Sequence, residues 1–345
     1  MNIQNHNISE GVPAFIIAEV AQAHDGSLGM AHAYIDAAAE AGADAVKFQT
    51  HIAAAESTLD EPFRVRFSCQ DPTRYDYWKR MEFTFEQWQG LAAHAKEKNL
   101  IFLSSPFSLQ AVNLLQKLDM AAWKIGSGES VSGDILNAVM NTGKPLLVST
   151  GMSTWQEIDA MVERFNQRST QFALLQCTSK YPVKLSEVGL NIIQEMKERY
   201  KCPTGLSDHS GSVFPSLAAL VLGANIIEAH IVFDKRMFGP DTLASLSIEE
   251  FKLLAKGRDA LQSMLSRPVD KDNVAASMTE MRSTFGKSLA TACDLPAETI
   301  LTNDLLVTKK PGTGIPAHKK HELLGRKLVR EVSMKRLLRW EDLDG

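Results

Sequence analysis

The sequence predicts an α/β fold: a (β/α)8, or TIM, barrel followed by a small β-rich domain. Short apolar runs alternate with longer stretches of helical spacing between residue 15 and about residue 263. Eight parallel βα units over roughly 250 residues are what such a barrel requires. The chain has 345 residues, more than a usual single-core domain, so a barrel with an appended module fits its length.

The eight predicted strands are apolar runs that end in polar residues. In chain order they are FIIAEV from Phe15, DAVKFQT from Asp44, IFLSSPF from Ile101, WKIGSGE from Trp123, LLVSTG from Leu146, FALLQCTS from Phe172, PTGLSDHS from Pro203 and IIEAHIV from Ile226. The stretches between them, such as AHAYIDAAAEAGA from Ala31 and FPSLAALVLGA from Phe214, end at glycine, as C-capped helices often do.

An open, doubly wound sheet would produce the same alternation. Such a sheet normally carries a glycine-rich phosphate turn after its first strand, and EVAQAHDG is not G-x-G-x-x-G, so the barrel is favoured. The longest connection, from Thr50 to about Glu82, is rich in charged and aromatic residues. We expect it to shape the mouth of an active site.

The pattern changes after the eighth predicted helix. We assign residues 1–265 to the barrel and the polar, weakly patterned residues 266–287 to a linker. Residues 288–345 contain short apolar runs separated by proline and glycine, which predicts a small β-rich domain. Because so short a domain has a marginal core, we expect it to dock against something larger.

Composition and charge exclude several classes of partner. The formal net charge of −4 gives no basic footprint for nucleic acid. No apolar run approaches the roughly 20 residues that span a bilayer, and the polar N-terminus lacks the features of a secretory signal. The cysteines show no C-x-x-C spacing and are interpreted as reduced thiols: Cys69, Cys177, Cys202 and Cys293. We therefore expect a cytoplasmic protein with small, soluble partners.

Polar residues end every predicted strand, and in a barrel the active site lies at that end. For strands one to eight they are Glu19; Lys47 and Gln49; Ser104 and Ser105; Lys124, Ser127 and Glu129; Ser149 and Thr150; Ser179 and Tyr181; Ser207, Asp208 and His209; and His230. Lys47 and Lys124 lie between apolar residues, where an ammonium is costly to bury without an anionic partner. They predict a pocket for phosphate and carboxylate, although each could instead pair with a glutamate of the barrel.

His209 and His230 end neighbouring strands, so their imidazoles can share one divalent metal, with Glu19 on the same side. Two protein ligands leave open coordination positions, which is typical of a catalytic metal that polarises a carbonyl oxygen. Either histidine alone would more often be structural. Two more features remain ambiguous: Asp241 in FGPDT can bind hydroxyls or shape a turn, and KKPGTG from Lys309 can bind substrate or form a solvated loop.

Nine segments, in order, resemble the signature segments of the sialic acid synthase family: IAEVAQAHDG, AVKFQ, SSPF, WKIGSGE, STGMS, CTSKYP, GLSDHS, EAHIVFD and GPD. The tail, with ILTNDLLVTKKPGTGI and LLGRKL, resembles that family's C-terminal antifreeze-like (SAF) domain. The resemblance implies a TIM barrel and a small β-clip domain. In the domain-swapped homodimer of the family, that domain reaches over the partner's barrel mouth.

The resemblance also implies an activity, the condensation of phosphoenolpyruvate with N-acetylmannosamine or a related amino-hexose and the release of phosphate. Matching segments imply that phosphoenolpyruvate is held by Lys47, Lys124, Ser127, Ser149, Ser179 and Ser207, with Ser105 at the phosphate. They imply metal ligation by His209 and His230, with Mn2+ expected before Mg2+ or Co2+. The acceptor sugar would face Glu19, Gln49, Tyr181 and Asp241, and Glu19 would position or deprotonate a water or transfer a proton at the sugar.

Two departures from the family pattern leave the acceptor open. Lys310 stands where the family has the arginine of K-R-P-G that meets the sugar's N-acyl group, and Thr242 stands where many members have histidine after GPD. The nearest competing function is that of a legionaminate-type or pseudaminate-type synthase acting on a diamino-dideoxy hexose. A heptulosonate or octulosonate synthase uses the same barrel, but the tail favours the nonulosonate branch. The sequence is also compatible with a Schiff-base aldolase that uses Lys124 as nucleophile and with a non-catalytic sugar- or ice-binding protein.

Overall fold

The apolar runs of the sequence form the strands of a nearly closed parallel barrel. The computed structural model describes residues 1–344, and the chain forms two units, Met1–Ser266 and a second that begins at Arg267. The strands are β1 (Asn2–Ile3), β2 (His6–Asn7), β3 (Phe15–Ala21), β4 (Ala45–Thr50), β5 (Ile101–Pro106), β6 (Trp123–Ile125), β7 (Leu146–Ser149), β8 (Phe172–Cys177), β9 (Thr204–Asp208), β10 (Ile226–Val232), β11 (Leu246–Ser247), β12 (Ser288–Thr291) and β13 (Leu306–Lys309).

All eight predicted barrel strands are confirmed as β3 to β10. They pair in parallel in the order β5-β4-β3-β10-β9-β8-β7-β6, so the first and last predicted strands are neighbours. Among residues 1–344 no hydrogen-bonded ladder joins β5 to β6, although these two strands contact each other. The barrel is therefore nearly, not fully, closed.

Helices occupy most of the connections between strands. They are α1 (Leu28–Glu40), α2 (Ala53–Glu56), α3 (Arg74–Met81), α4 (Phe85–Glu97), α5 (Leu109–Gln116), α6 (Gly133–Met140), α7 (Trp155–Gln167), α8 (Leu190–Tyr200), α9 (Val213–Val221), α10 (Ile248–Leu265), α11 (Lys271–Ser277), α12 (Thr279–Phe285) and α13 (Lys320–Leu323). Several begin at capping boxes, such as Thr84 with Gln87 before α4. Their apolar stripes and the outward strand residues form the larger core of the first unit. None of the helices of residues 1–344 has both the length and the apolar character needed to cross a membrane.

The inside of the barrel is filled from its N-terminal end. Residues Phe15 and Ile17 of β3 and Leu103 of β5 form an apolar cluster there with Ile3 and Ile8. The last two belong to the N-terminal segment that contains the β1–β2 hairpin, a structure that its polar sequence did not predict. With that end of the barrel filled, the strand residues towards the C-terminal end are the ones free to line a cavity.

Gly205 in β9 lies where neighbouring strands of the barrel pack closely, so its replacement tests that packing. A Cβ added at Gly205 would lie 2.2 Å from the carbonyl oxygen of Ile226 and 2.6 Å from a methyl of Leu175. Gly205→Ala is therefore expected to lower the free energy of unfolding by about 3 kcal/mol or more. The control is Gly90→Ala in α4, where nothing lies within 4 Å. This change should raise stability by roughly 0.5–1 kcal/mol. Urea unfolding measures both, and equal stability of the two variants would contradict the packing argument.

The second unit has a different organisation. Residues 266–287, predicted as a linker, contain the short helices α11 and α12. One antiparallel pair, β12 with β13, is its regular ladder within the described residues. Its core is formed by leucine, isoleucine and valine side chains: Leu289, Leu295, Leu301, Leu306, Ile315, Leu323, Leu328, Val332, Leu338 and Leu343.

Candidate active site

A cavity of about 430 Å3 opens at the C-terminal ends of the barrel strands. Every barrel residue assigned to phosphoenolpyruvate, the metal or the sugar lines it: Glu19, Lys47, Gln49, Ser105, Lys124, Ser127, Ser149, Ser179, Tyr181, Ser207, His209, His230 and Asp241. Of the other strand-end candidates, Glu129 lines the cavity, whereas Ser104, Thr150 and Asp208 do not. Lys310 belongs to the second unit, where it is exposed and its ammonium lies 5.4 Å from the ring centre of Phe285. Its assignment to the sugar stays a prediction.

The period of two along a strand explains how these side chains meet. Residues at i, i+2 and i+4 point to the same face of a strand. In β10, Ile226 belongs to the cluster inside the barrel, so Glu228 and His230 also point inwards. Glu228 was missed because it does not end its strand. The same alternation, counted from Ile226, could have revealed it.

Glu228 lies between the two lysines. Its Oε1 is 3.2 Å from Lys124 Nζ and its Oε2 is 3.7 Å from Lys47 Nζ. Lys47 also forms an ion pair with Glu19. All four side chains are at most 4% exposed. Each lysine therefore pairs with a glutamate of the barrel and also faces the cavity.

Burial and the attraction between these charged groups have opposite effects on their pKa values. Burial raises the pKa of Glu19 to about 7, against the attraction of Lys47. Burial alone would raise the pKa of Glu228, but Lys124 and Lys47 hold it below its ordinary value. Burial also lowers the pKa of Lys124. The two lysines therefore favour the ionised form of Glu228, while burial favours the protonated form of Glu19.

Serine hydroxyls surround the lysines. Lys47 Nζ donates to Ser105 Oγ at 3.2 Å, and Lys124 Nζ donates to Ser149 Oγ at 2.8 Å. Ser207 Oγ donates to Glu228 Oε1 at 2.9 Å. These donors converge on one side of the cavity, and ammonium and hydroxyl groups are suited to phosphate and carboxylate oxygens.

The two histidines fit a divalent metal. Their ring centres are 5.2 Å apart, and the Nδ1 of His209 faces the carbonyl oxygen of Thr178 at 3.2 Å. With Nδ1–H donated to that oxygen, the Nε2 lone pair of His209 is available for a cation. Burial is the main cause that holds the pKa of His230 well below its ordinary value, which favours the neutral imidazole that a ligand needs. Burial would also lower the pKa of His209, but Cys177 and the Thr178 carbonyl raise it, so a cation would have to displace a proton there. No group of three or more His, Cys, Asp or Glu residues within 1–344 is arranged for a metal, so a cation here would keep open positions.

Comparison of the sequence with known proteins identifies the family of this chain. Residues 34–270 match the model of the NeuB family. The chain belongs to the NeuB family. It is 33% identical over 332 residues to the N,N'-diacetyllegionaminic acid synthase of Campylobacter jejuni, covering 94% of this chain and 98% of that protein. It is 31% identical over 323 residues to human N-acetylneuraminate-9-phosphate synthase, covering 92% and 89%.

A solved relative supports the fold. The crystal structure of N-acetylneuraminic acid (sialic acid) synthetase from Leptospira borgpetersenii serovar Hardjo-bovis, in complex with citrate, superposes with a TM-score of 0.72 at 29% identity. The match covers 82% of this chain and 95% of that one. The resemblance to the sialic acid synthase family that nine segments indicated is thereby confirmed at the level of the family.

The cavity of this NeuB-family chain also contains an arginine that the sequence did not single out. Arg64 donates to Asp241 Oδ1 at 2.8 Å and to the carbonyl oxygen of Pro240 at 3.0 Å. Its guanidinium also lies 4.4 Å from the ring centre of Tyr181. Asp241 and Tyr181, both predicted to face the sugar, are therefore brought together by a residue of the long 50–82 connection.

The 50–82 connection lines much of the cavity mouth. It contributes aromatic and charged side chains: His51, Glu56, Glu61, Phe63, Arg64, Phe67, Arg74, Tyr77 and Trp78. Within it, helix α3 starts at a capping box of Thr73 and Asp76, which positions Tyr77 and Trp78 against the barrel. A cavity with anion donors on one side and aromatic and acidic groups on the other suits two different ligands.

Proposed function

We propose that this chain is a nonulosonate synthase, which condenses phosphoenolpyruvate with an amino-hexose and releases phosphate. The observation that carries the proposal is one cavity in which Lys47, Lys124 and Glu228 lie together with the pair His209 and His230. Synthases of N,N'-diacetyllegionaminic acid and N-acetylneuraminate 9-phosphate align with nearly the whole chain, which supports the same class of reaction.

Phosphoenolpyruvate would bind on the lysine side. Lys47 and Lys124 supply two positive charges, and Ser105 and Ser149 already accept from them. Ser127, Ser179 and Ser207 add hydroxyls around the same space. A Cβ at Gly151 would lie 2.7 Å from Ser179 Oγ, so glycine there lets the loop approach the pocket closely.

The reaction forms one C–C bond and one C–O bond, the latter to water, and breaks the C–O bond to phosphate. C3 of phosphoenolpyruvate attacks the aldehyde carbon of the open-chain sugar, and water adds to the positively charged C2. The tetrahedral carbon then loses phosphate by C–O cleavage and leaves a 2-keto acid. A divalent cation held by His209 and His230, Mn2+ or else Mg2+ or Co2+, would supply Lewis-acid stabilisation of the aldehyde oxygen. Glu19, with its pKa raised to about 7 by burial, would accept the proton of the added water.

A phosphate-release screen tests the proposal. Purified full-length chain is incubated with phosphoenolpyruvate, Mn2+ and a panel of amino-hexoses that includes N-acetylmannosamine and 2,4-diacetamido-6-deoxy hexoses. We expect phosphate and a 2-keto-3-deoxy acid in equal amounts with at least one acceptor. Activity only with a phosphorylated aldose that lacks an amino group would move the chain to the heptulosonate or octulosonate synthases. No release with any acceptor would refute a synthase.

We propose that the second unit contacts the acceptor sugar and selects it. As an antifreeze-like domain of a domain-swapped homodimer, it would bring Lys310 to the N-acyl group of a sugar bound in the partner's barrel. An ammonium is a compact point charge, whereas a guanidinium offers a planar fork of donors. Lys310→Arg is therefore expected to raise kcat/KM for N-acetylmannosamine, relative to its 2,4-diacetamido-6-deoxy analogue, by roughly tenfold.

The neighbouring Lys309→Arg is the matched control, because the Lys309 ammonium donates to the carbonyl oxygen of Met334 within the second unit. It should leave the ratio of the two kcat/KM values unchanged. If wild type already strongly prefers N-acetylmannosamine and Lys310→Arg changes nothing, Lys310 does not read the N-acyl group. A monomer by light scattering would refute the swapped arrangement.

A further inference from the structure

A chain of hydrogen bonds connects Glu19 to a second carboxylate at the edge of the cavity. His51 follows β4 directly, and its imidazole Nδ1 lies 2.6 Å from Glu56 Oε1. Its Nε2 lies 2.7 Å from the amide nitrogen of Gln22. Gln22 donates to Gln49 Oε1, and Gln49 Nε2 donates to Glu19 Oε1 at 3.2 Å.

The plane of the His51 ring is fixed by stacking. The ring lies between Trp78 and Phe107, with centre-to-centre distances of 3.9 Å and 4.5 Å and interplanar angles of 18° and 13°. His51 is 5% exposed. Because both faces are covered by aromatic rings, only the edge of the imidazole is available for hydrogen bonds. Its two nitrogens therefore face Glu56 on one side and the two glutamines on the other.

Two atoms face the Nε2 of His51: the amide nitrogen of Gln22 at 2.7 Å and Gln49 Oε1 at 3.2 Å. Where Glu56 Oε1 accepts, the Nδ1 of His51 carries the proton of that contact, and in the corresponding neutral tautomer Nε2 presents a lone pair. That lone pair accepts one N–H of Gln22, and the second N–H of Gln22 is donated to Gln49 Oε1. With its oxygen occupied, the Gln49 amide must present N–H to Glu19. A flipped Gln49 would instead turn its own N–H groups towards the N–H of Gln22, and Gln22 would lose its acceptor.

We infer that Glu56 and His51 are positioning residues, which set the Gln49 amide and thereby hold the Glu19 carboxylate in its reactive orientation. The inference rests on the proposed function, because Glu19 is the group proposed there to accept a proton. Glu56 and His51 act through the two glutamines, so their replacement would lower turnover without changing how the lysines bind phosphoenolpyruvate.

His51→Phe tests the inference while preserving an aromatic ring between Trp78 and Phe107. We expect kcat to fall by roughly 10- to 100-fold, because Gln22 loses its acceptor and Gln49 its fixed orientation. The KM for phosphoenolpyruvate should change by less than about threefold. The matched comparison is Phe107→Leu, which removes one side of the stack and leaves every hydrogen bond of the chain in place. Equal losses of kcat in the two variants would show that His51 only packs.

Glu56→Gln is a second variant outside the aromatic stack. A glutamine amide can donate to Nδ1 and thereby favour the tautomer of His51 that carries its proton on Nε2. Two-bond proton–nitrogen NMR spectra, assigned with His51→Phe, report the tautomer without any substrate. We expect Nδ1–H in wild type and Nε2–H with lowered kcat in Glu56→Gln. An unprotonated Nδ1 with the proton on Nε2 in wild type would overturn the inference, because His51 would then donate nothing to Glu56. If the tautomer is as expected but no acceptor supports phosphate release, the proposed function fails while the hydrogen-bond chain stands.

Discussion

Alanine in place of His209 or His230 is expected to lower phosphate release by roughly 10^3-fold or more, and to leave the barrel folded. The two imidazoles are the proposed ligands of the catalytic cation, and their ring centres are only 5.2 Å apart. Removing either ring leaves a single imidazole at the proposed site, which is too few ligands to hold a cation firmly. Steady-state kinetics with added Mn2+ and a far-ultraviolet circular dichroism spectrum measure the two effects.

The matched control for these variants is His32→Ala. His32 lies on helix α1 and its imidazole contacts His94 of α4, outside the lining of the cavity. It should retain wild-type activity. Manganese binding, followed by calorimetry, should be lost in both active-site variants and kept in the control. Full activity of chelator-treated wild type, or of either variant, would refute the assignment of a catalytic metal to His209 and His230.

Lys124→Met is expected to lower kcat by about 10^2- to 10^3-fold, because it removes a preorganised charge from the phosphoenolpyruvate side. It should also lower the free energy of unfolding by about 3 kcal/mol, since Glu228 loses the nearer of its two ammonium partners. The double variant Lys124→Met with Glu228→Leu removes both buried charges. It should recover most of the lost stability and none of the lost activity.

The control for Lys124→Met and for the double variant is an ion pair on the surface. Lys144 lies 2.8 Å from Asp119, both substantially exposed, so Lys144→Met should cost less than about 1 kcal/mol and leave kcat unchanged. Borohydride treatment with pyruvate detects Schiff-base chemistry. A covalent adduct on Lys124, with activity indifferent to chelators, would identify a Schiff-base aldolase and overturn the proposed synthase mechanism.

Much of the site could be predicted because polar residues near the ends of different strands come together in a parallel barrel. Glu19, Gln49 and His230 lie on different strands, but each is the fifth residue of its strand and lies towards the C-terminal end. In a parallel barrel those ends meet on one face. The rule favours strand ends and overlooks inward positions nearer the middle of a strand, which is why Glu228 was missed.

The remaining site residues could not be predicted, because no local pattern identifies them. Arg64 and His51 lie in or beside a long connection without strand periodicity, so their side-chain directions depend on how that connection folds. The helices α11 and α12 show a related limit: they are short and expose most of their residues, so residues 266–287 carry too weak a periodicity to predict them.

The sequence by itself determined the eight strands, their polar C-terminal ends and the family, because strands buried on both faces are continuous apolar runs and the nine segments that resemble the family lie close to their ends. Only the tertiary structure decided which charges are partners. Lys47 meets both Glu19 and Glu228 because β10 pairs with β3 when the barrel closes. Arg64 reaches Asp241 across 177 positions of the chain. A period reports which face a side chain occupies, whereas a partner far along the chain is set by closure of the barrel and the path of its loops.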